Sequence, residues 1–372
     1  ELSYPRVRSI SQSEIFPQRT TSLGQNQLIT FDLAYYPTDR GPYNYDATSG
    51  RVSASGKLLN PKTRWGGLMR NIEQTDFETA NIEFVECWVQ DPFILNPAST
   101  GGKFYINLGN VSEDVLKDSR RFYENGLPTP NAPSQVDNSI WGRVPRNPVQ
   151  VTNAFSNDPN DRKYQDVGFD GLDNDSEVVR RKADYLDVLR STFGANSRAY
   201  LDALADPSND DYHYYRGADL DAQNLGILGR YKNFNNPQGN SPVADNNSQF
   251  SSAATLYPDQ EDLNRDNTLN ETEEYFQYIV DLKPPTAQEM TIGQNYIVDK
   301  KVVPVKLADG SSRNETWYQL RIPINSYSKR VGNSPDFKCI RMIRKCQTDF
   351  QESVVVRGGK LDLVRNRGRK LE

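Results

Sequence analysis

The sequence predicts a mainly β protein: a jelly-roll-like (galactose-binding-like) β-sandwich interrupted by a mixed α/loop insertion. Three observations lead there. Short β-rich runs separated by Gly, Pro and Asn turns fill both ends of the chain. The middle, from about residue 160 to 275, gives up that alternation for acidic loops and helical stretches. A sheet half formed on either side of this insert would leave open edges, so the two ends are expected to complete one sandwich. The expected divisions are 1–127 and 275–372 for the two parts of the sandwich and 128–274 for the insertion. Two independent β domains are the alternative.

In chain order, Asn26 to Leu33 alternates, Ala80 to Val89 is a long β-rich run with Phe84, Val85 and Trp88, and Lys103 to Leu108 is a shorter strand. Ser112-Glu113-Asp114 precedes a helix-like stretch ending at Asn125-Gly126, with acids in its first turn and Lys117, Arg120 and Arg121 later. In the insert, helices are expected over Glu177–Thr192, stopped by Gly194, and Ser197–Ala205. Asn233 to Ser252 is dominated by Asn, Ser, Gly, Pro and Gln and reads as loop. Strands return at Phe276–Leu282, Asn295–Val305, Trp317–Ile324, Phe337–Arg344 and Ser353–Val364. Gly101-Gly102 and Gly358-Gly359 mark turns or bulges.

With 372 residues the chain can bury a substantial core. Its formal charge of −5 supplies no basic field, which argues against nucleic acid as a partner and suits cation binding better. No run of about 18 apolar residues is present, so no membrane-spanning helix is expected. The opening Glu1-Leu-Ser-Tyr-Pro starts in mid-pattern and reads as part of a longer polypeptide. Cys87, Cys339 and Cys346 lack a CxxC spacing and are expected as buried free thiols, with one disulfide as the alternative. The sole histidine, His213, reads as structural.

Nucleophile elbows, P-loops and dinucleotide fingerprints are missing from the sequence, so no enzyme is expected. A hydrolase would need cooperating acids such as Asp76 and Glu78 in a cleft. Calcium is the expected cofactor. Asp262, Asn264, Asp266, Thr268, Asn270 and Glu273 fall at positions 1, 3, 5, 7, 9 and 12 of a Ca²⁺ loop, with Thr268 acting through its carbonyl, although Asn267 stands where such loops carry Gly. Asn270 and Glu273 also fit a capping box. A second acidic loop packs Asp166, Asp170, Asp173, Asp175 and Glu177 into twelve residues, with Gly168 and Gly171 allowing close wrapping; an N-capped helix start is its alternative. Asp206 to Asp211 is a weaker third candidate. Trp65, Trp88, Trp141 and Trp317 could stack on sugars; Trp88 and Trp317 lie in strand patterns and read as core, whereas Trp65 reads as a loop contact.

Several stretches resemble the SprA/Sov family. Among them are Arg40-Gly-Pro-Tyr-Asn-Tyr45, Arg64-Trp-Gly-Gly-Leu-Met-Arg70 and Asn81-Ile-Glu-Phe-Val-Glu-Cys-Trp88. Further on come Asn107 to Leu116, Asp166-Val-Gly-Phe-Asp-Gly-Leu172, Asp262 to Tyr275 and Leu361-Asp-Leu-Val-Arg365. The resemblance implies a soluble domain of a large outer-membrane translocon of type IX secretion and gliding motility, expected on the cell-surface side with the periplasmic side as the alternative; together with the missing catalytic motifs it points to a non-enzymatic role. The implied partners are the remainder of that polypeptide, other secretion-system subunits and exported cargo. A cell-surface carbohydrate-binding module, with glycan as ligand, is the alternative. Lys345 to Phe350 and Val356 to Lys360 are less apolar than the family's ending, so the last strands are expected to pack or pair differently.

Overall fold

Phe276, Tyr278, Val280 and Leu282 alternate with outward residues, and a strand that carries this pattern must bury one face. In the computed structural model all four are core residues of a two-sheet sandwich. The structure describes residues 1–19, 26–124, 126–128, 136–146, 155–156, 158–212, 214–235, 259–333 and 336–365. His213 and most of the Asn233–Ser252 loop lie outside them.

The strands are β1 (Ile10–Ser11), β2 (Gln27–Leu28), β3 (Thr30–Tyr35), β4 (Trp65–Asn71), β5 (Ile82–Gln90), β6 (Gly102–Asn110), β7 (Val136–Asn138) and β8 (Arg143–Pro145). They continue as β9 (Glu274–Leu282), β10 (Ile297–Lys306), β11 (Ser312–Pro323), β12 (Lys329–Val331), β13 (Met342–Thr348) and β14 (Val354–Arg365). The helices are α1 (Gln12–Ile15), α2 (Pro159–Arg162), α3 (Asn174–Arg180), α4 (Asp187–Phe193), α5 (Arg198–Ala205), α6 (Ala218–Ala222) and α7 (Ile227–Arg230). No helix among the described residues is long and apolar enough to cross a membrane.

The chain divides into two compact units: Glu1–Thr38 with Asn60–Val111 and Thr272–Glu372, and Asp39–Leu59 with Ser112–Glu271. The first unit is the sandwich. One antiparallel sheet runs β10-β11-β5-β14-β3 and the other β12-β9-β6-β13-β4, and the chain switches sheets repeatedly, as a jelly roll does. Inward residues of β5, β11 and β14 meet those of β6, β9 and β13 in one core. Gly102, at the start of β6, is required there because a Cβ would stand 2.5 Å from the Phe350 ring. A bulge breaks β14 after Gly359: Gly359 pairs with Trp88 but Asp362 with Glu86, so the strand advances three residues against two. The less apolar C-terminal strands nevertheless enter the sandwich, β13 between β4 and β6 and β14 between β3 and β5.

On the outer face of the first sheet, Ile10, Ile15 and Phe16 cover Trp88 and Trp317. Arg8 is buried with them and is paired with the fully buried Glu315 and with Glu14.

The second unit has its own core, in which Ala47, Val52 and Leu58 pack against Tyr185, Leu186, Leu189, Ala199 and Ala203. This packing assigns 39–59 to the insert, whose main segment runs 112–271 instead of the expected 128–274. The helix expected from residue 112 to 126 does not form among its described residues. The Asp114 carboxylate accepts the N–H groups of Asp118 and Ser119, and Lys117 and Ser119 take positive φ, so side-chain bonds to the backbone replace a helical turn. The helix expected over Glu177–Thr192 begins at Asn174, where Asp173 caps it, and is interrupted by a π turn at Lys182–Leu186. The strand expected at Phe337 begins only at Met342.

Candidate metal centre

Three acids of the second unit converge. Asp170, Glu177 and Asp210 are all buried, at 1%, 0% and 4% exposure, and a carboxylate oxygen of each lies within 4.8 Å of one from the other two. Local sequence explains their placement. Asp170 lies on a tight loop whose Gly168 and Gly171 have φ of +104° and +69°. A Cβ on Gly168 would fall 1.9 Å from an Asp210 oxygen, so only glycine lets the two loops close. Glu177 projects from α3, fixed by the Asp173 cap, which accepts the Ser176 N–H at 2.8 Å. Asp210 follows α5 on a loop in which Asp206 accepts the N–H groups of Asp210 and Asp211.

The surrounding hydrogen bonds are few. Ser208 donates its N–H to Glu177 Oε2 at 3.0 Å and its hydroxyl to Asp170 Oδ2 at 2.9 Å. Asp170 Oδ1 accepts the Leu172 N–H, and the Tyr43 hydroxyl donates to Asp210 Oδ2 at 2.8 Å while accepting from Phe169 N–H. Glu177 Oε1 is buried and has no hydrogen-bond partner. No Lys or Arg among the described residues forms an ion pair with any of the three acids. Burial, followed by the charge of its neighbours, pushes the Glu177 and Asp210 carboxyls up; burial does the same to Asp170, there against its hydrogen bonds and the charges of Arg181 and Arg143. Without a counter-ion such a group keeps protons that free carboxylates would lose. A bound divalent cation would remove the need for them.

The other residues proposed from sequence are placed elsewhere. Asp173 and Asp175 are exposed on the first turn of α3, and Asp166 lies 3.5 Å from Arg162. In the Asp262 loop, Asp262 accepts the N–H groups of Asp266 and Asn267 and has Arg121 at 3.6 Å. Asn264 and Thr268 hydrogen-bond to Asp266. Glu113, fully buried, accepts the N–H groups of Leu263, Asn264 and Asn270 and thereby closes the loop. Glu273 pairs with Arg344 of β13. Arg265 and Asn267 take positive φ, a conformation that Asn tolerates better than most residues where such loops carry glycine. A further cluster, Asp114, Asp118 and Glu261, already spends oxygens on backbone N–H groups: Glu261 on Leu116, and Asp114 on Asp118 and Ser119.

Sequence reasoning gave no role to Tyr43, which lies in no acidic run, or to Ser208, a hydroxyl residue inside the third, weaker loop. Asp210 was legible only as part of the third, weaker loop. Asp76 caps a turn by accepting from Thr79, and Glu78 lies near Lys338, so neither is held in a cleft with the other. Cys87 is buried, Cys346 half-buried and Cys339 exposed, and all three are free. Cys339 thus departs from the expected burial. Trp88 and Trp317 are core residues; Trp65 is 73% exposed, on strand β4 and not on a loop.

A family described as motility related/secretion protein, SprA_N, matches residues 184–372, just over half of the chain. The chain belongs to this family. The match spans α4, α5 and the Asp210 loop as well as β9 to β14 of the sandwich. No curated protein matches the chain.

Proposed function

We propose that this SprA_N-family chain is a non-enzymatic structural and interaction unit of the outer-membrane translocon of type IX secretion and gliding motility, and that calcium rigidifies its insert. The family match carries the secretion part of this reading. The unit sits on the cell-surface side, where its partners are the remainder of the translocon polypeptide, other secretion-system subunits and exported cargo. Two features support an interaction role. The strands β3 and β4 each end a sheet, and an edge presents backbone groups that a partner strand can pair with. Ile29 beside β3 and Trp65 on β4 are 90% and 73% exposed. The buried carboxylates of the second unit, enclosed by backbone and Tyr43, favour a structural over a hydrolytic use.

A photo-crosslinking amino acid placed at Ile29 and at Trp65 in secreting cells tests the reading. Adducts with exported cargo or with secretion-system proteins are expected. Adducts with neither, while the cells secrete normally, would contradict it.

A further inference from the structure

We infer that Asp170, Glu177 and Asp210 hold one calcium ion, which ties the loops at 166–177 and 206–212 and the Tyr43 segment into a single locked site. The inference rests on the calcium part of the reading above and assigns it to residues. It does not depend on the translocon role.

The geometry is that of a cation site. Calcium takes oxygens at about 2.3–2.6 Å, so any two oxygens sharing an ion lie at most about 5 Å apart. The three carboxylates satisfy this limit, with separations within 4.8 Å. The ligand set is hard and all oxygen, as calcium prefers and as softer metals do not.

Acid clusters occur without ions, and the decisive observation is separate from the clustering. Glu177 Oε1 is fully buried and accepts no hydrogen bond, whereas Glu177 Oε2 is held by the Ser208 N–H. A buried carboxylate oxygen left unpaired carries a desolvation cost that a cation would offset. The acids are held in place by their neighbours: Ser208 orients both Glu177 and Asp170, and the Tyr43 hydroxyl orients Asp210. The Asp262 loop differs in that Arg121 lies 3.6 Å from Asp262 itself and the Glu113 carboxylate closes the loop, whereas Arg181 and Arg143 act on Asp170 only through their charge.

The chain, stripped of metal with a chelator, is titrated with Ca²⁺ while its melting temperature is followed. In parallel it is titrated with Tb³⁺, and the luminescence sensitised through tyrosine is read. Ca²⁺ is expected to raise the melting temperature, since a ligand of the folded state stabilises it by mass action. Tb³⁺ is expected to give a saturable signal, sensitised by Tyr43 and displaced by Ca²⁺. Both effects should be lost in the Glu177→Gln, Asp210→Asn variant and kept in Asp262→Asn, Asp266→Asn. In chelator the first variant should melt no lower than the parent chain, because neutral amides replace buried carboxyls that must otherwise hold protons or repel one another; this separates lost binding from lost folding. Should that variant not fold, Asp210→Asn alone serves, with a weakened Tb³⁺ signal expected. Undiminished binding in these variants would overturn the assignment and leave the calcium reading standing. No melting shift and no luminescence in the parent chain would overturn both.

Discussion

Asp91 follows β5 inside a buried run that continues to Phe93, with 6% of its surface exposed and its carboxylate accepting the Phe93 N–H at 2.9 Å. Burial pushes its carboxyl up to about 6, against the opposing pull of that hydrogen bond and of Lys300. The unfolded chain loses this proton near the ordinary Asp value of about 3.9. Below that value both states are protonated and the residue costs nothing. As pH rises through about 6 the folded state must pay for a buried charge, a loss of about 3 kcal/mol. Asp91→Asn keeps an acceptor for Phe93 and is therefore expected to raise stability at pH 7 and to flatten its dependence between pH 4 and 6, as read by urea unfolding. Burial of this kind was not legible in the sequence, where Asp91 looks like any strand-end acid. The Asp170, Glu177 and Asp210 cluster was legible in part: the glycines at 168 and 171 announced a loop able to close on something, but not that Asp210 and Tyr43 were what it closed on.

Elements were read best where a single local rule governs. The period-two alternation of β9 and the Gly194 stop of α4 needed nothing beyond neighbouring residues. The segment after residue 112 failed because helix signals, acids first and bases later, also describe a loop in which Asp114 accepts the backbone N–H groups of Asp118 and Ser119. The N-terminal segment lay outside any local rule, since what holds it is a residue about three hundred positions away. Arg8 donates through Nε to Glu315 Oε1 at 3.0 Å, with Arg313 on the same oxygen at 2.7 Å and Gln90 on Oε2 at 2.6 Å. Burial would raise the Glu315 carboxyl, but the hydrogen bonds and charge of Arg8 and Arg313 hold it below its usual range. Arg8→Met would leave a buried carboxylate short of its main partner, and about 3–5 kcal/mol of stability should be lost. Chemical denaturation measures this, and Ile10 and Ile15 should become accessible to hydrogen exchange earlier than the core of β9.

At the scale of the whole molecule, the sandwich was legible because β patterns flank a region without them, and an unfinished sheet cannot stand alone. The edges of the insert were not, because the 39–59 segment joins it through Ala47, Val52 and Leu58, three apolar residues with no periodicity to distinguish them from the flanking strands. Membership of a motility and secretion family gives the molecule its setting. The proposed translocon role is tested most directly by export of a secreted cargo from cells in which residues 1–372 have been removed from the translocon polypeptide the proposal invokes, with its remainder shown to reach the outer membrane. Loss of export is the result predicted here; export and gliding at normal levels would contradict it.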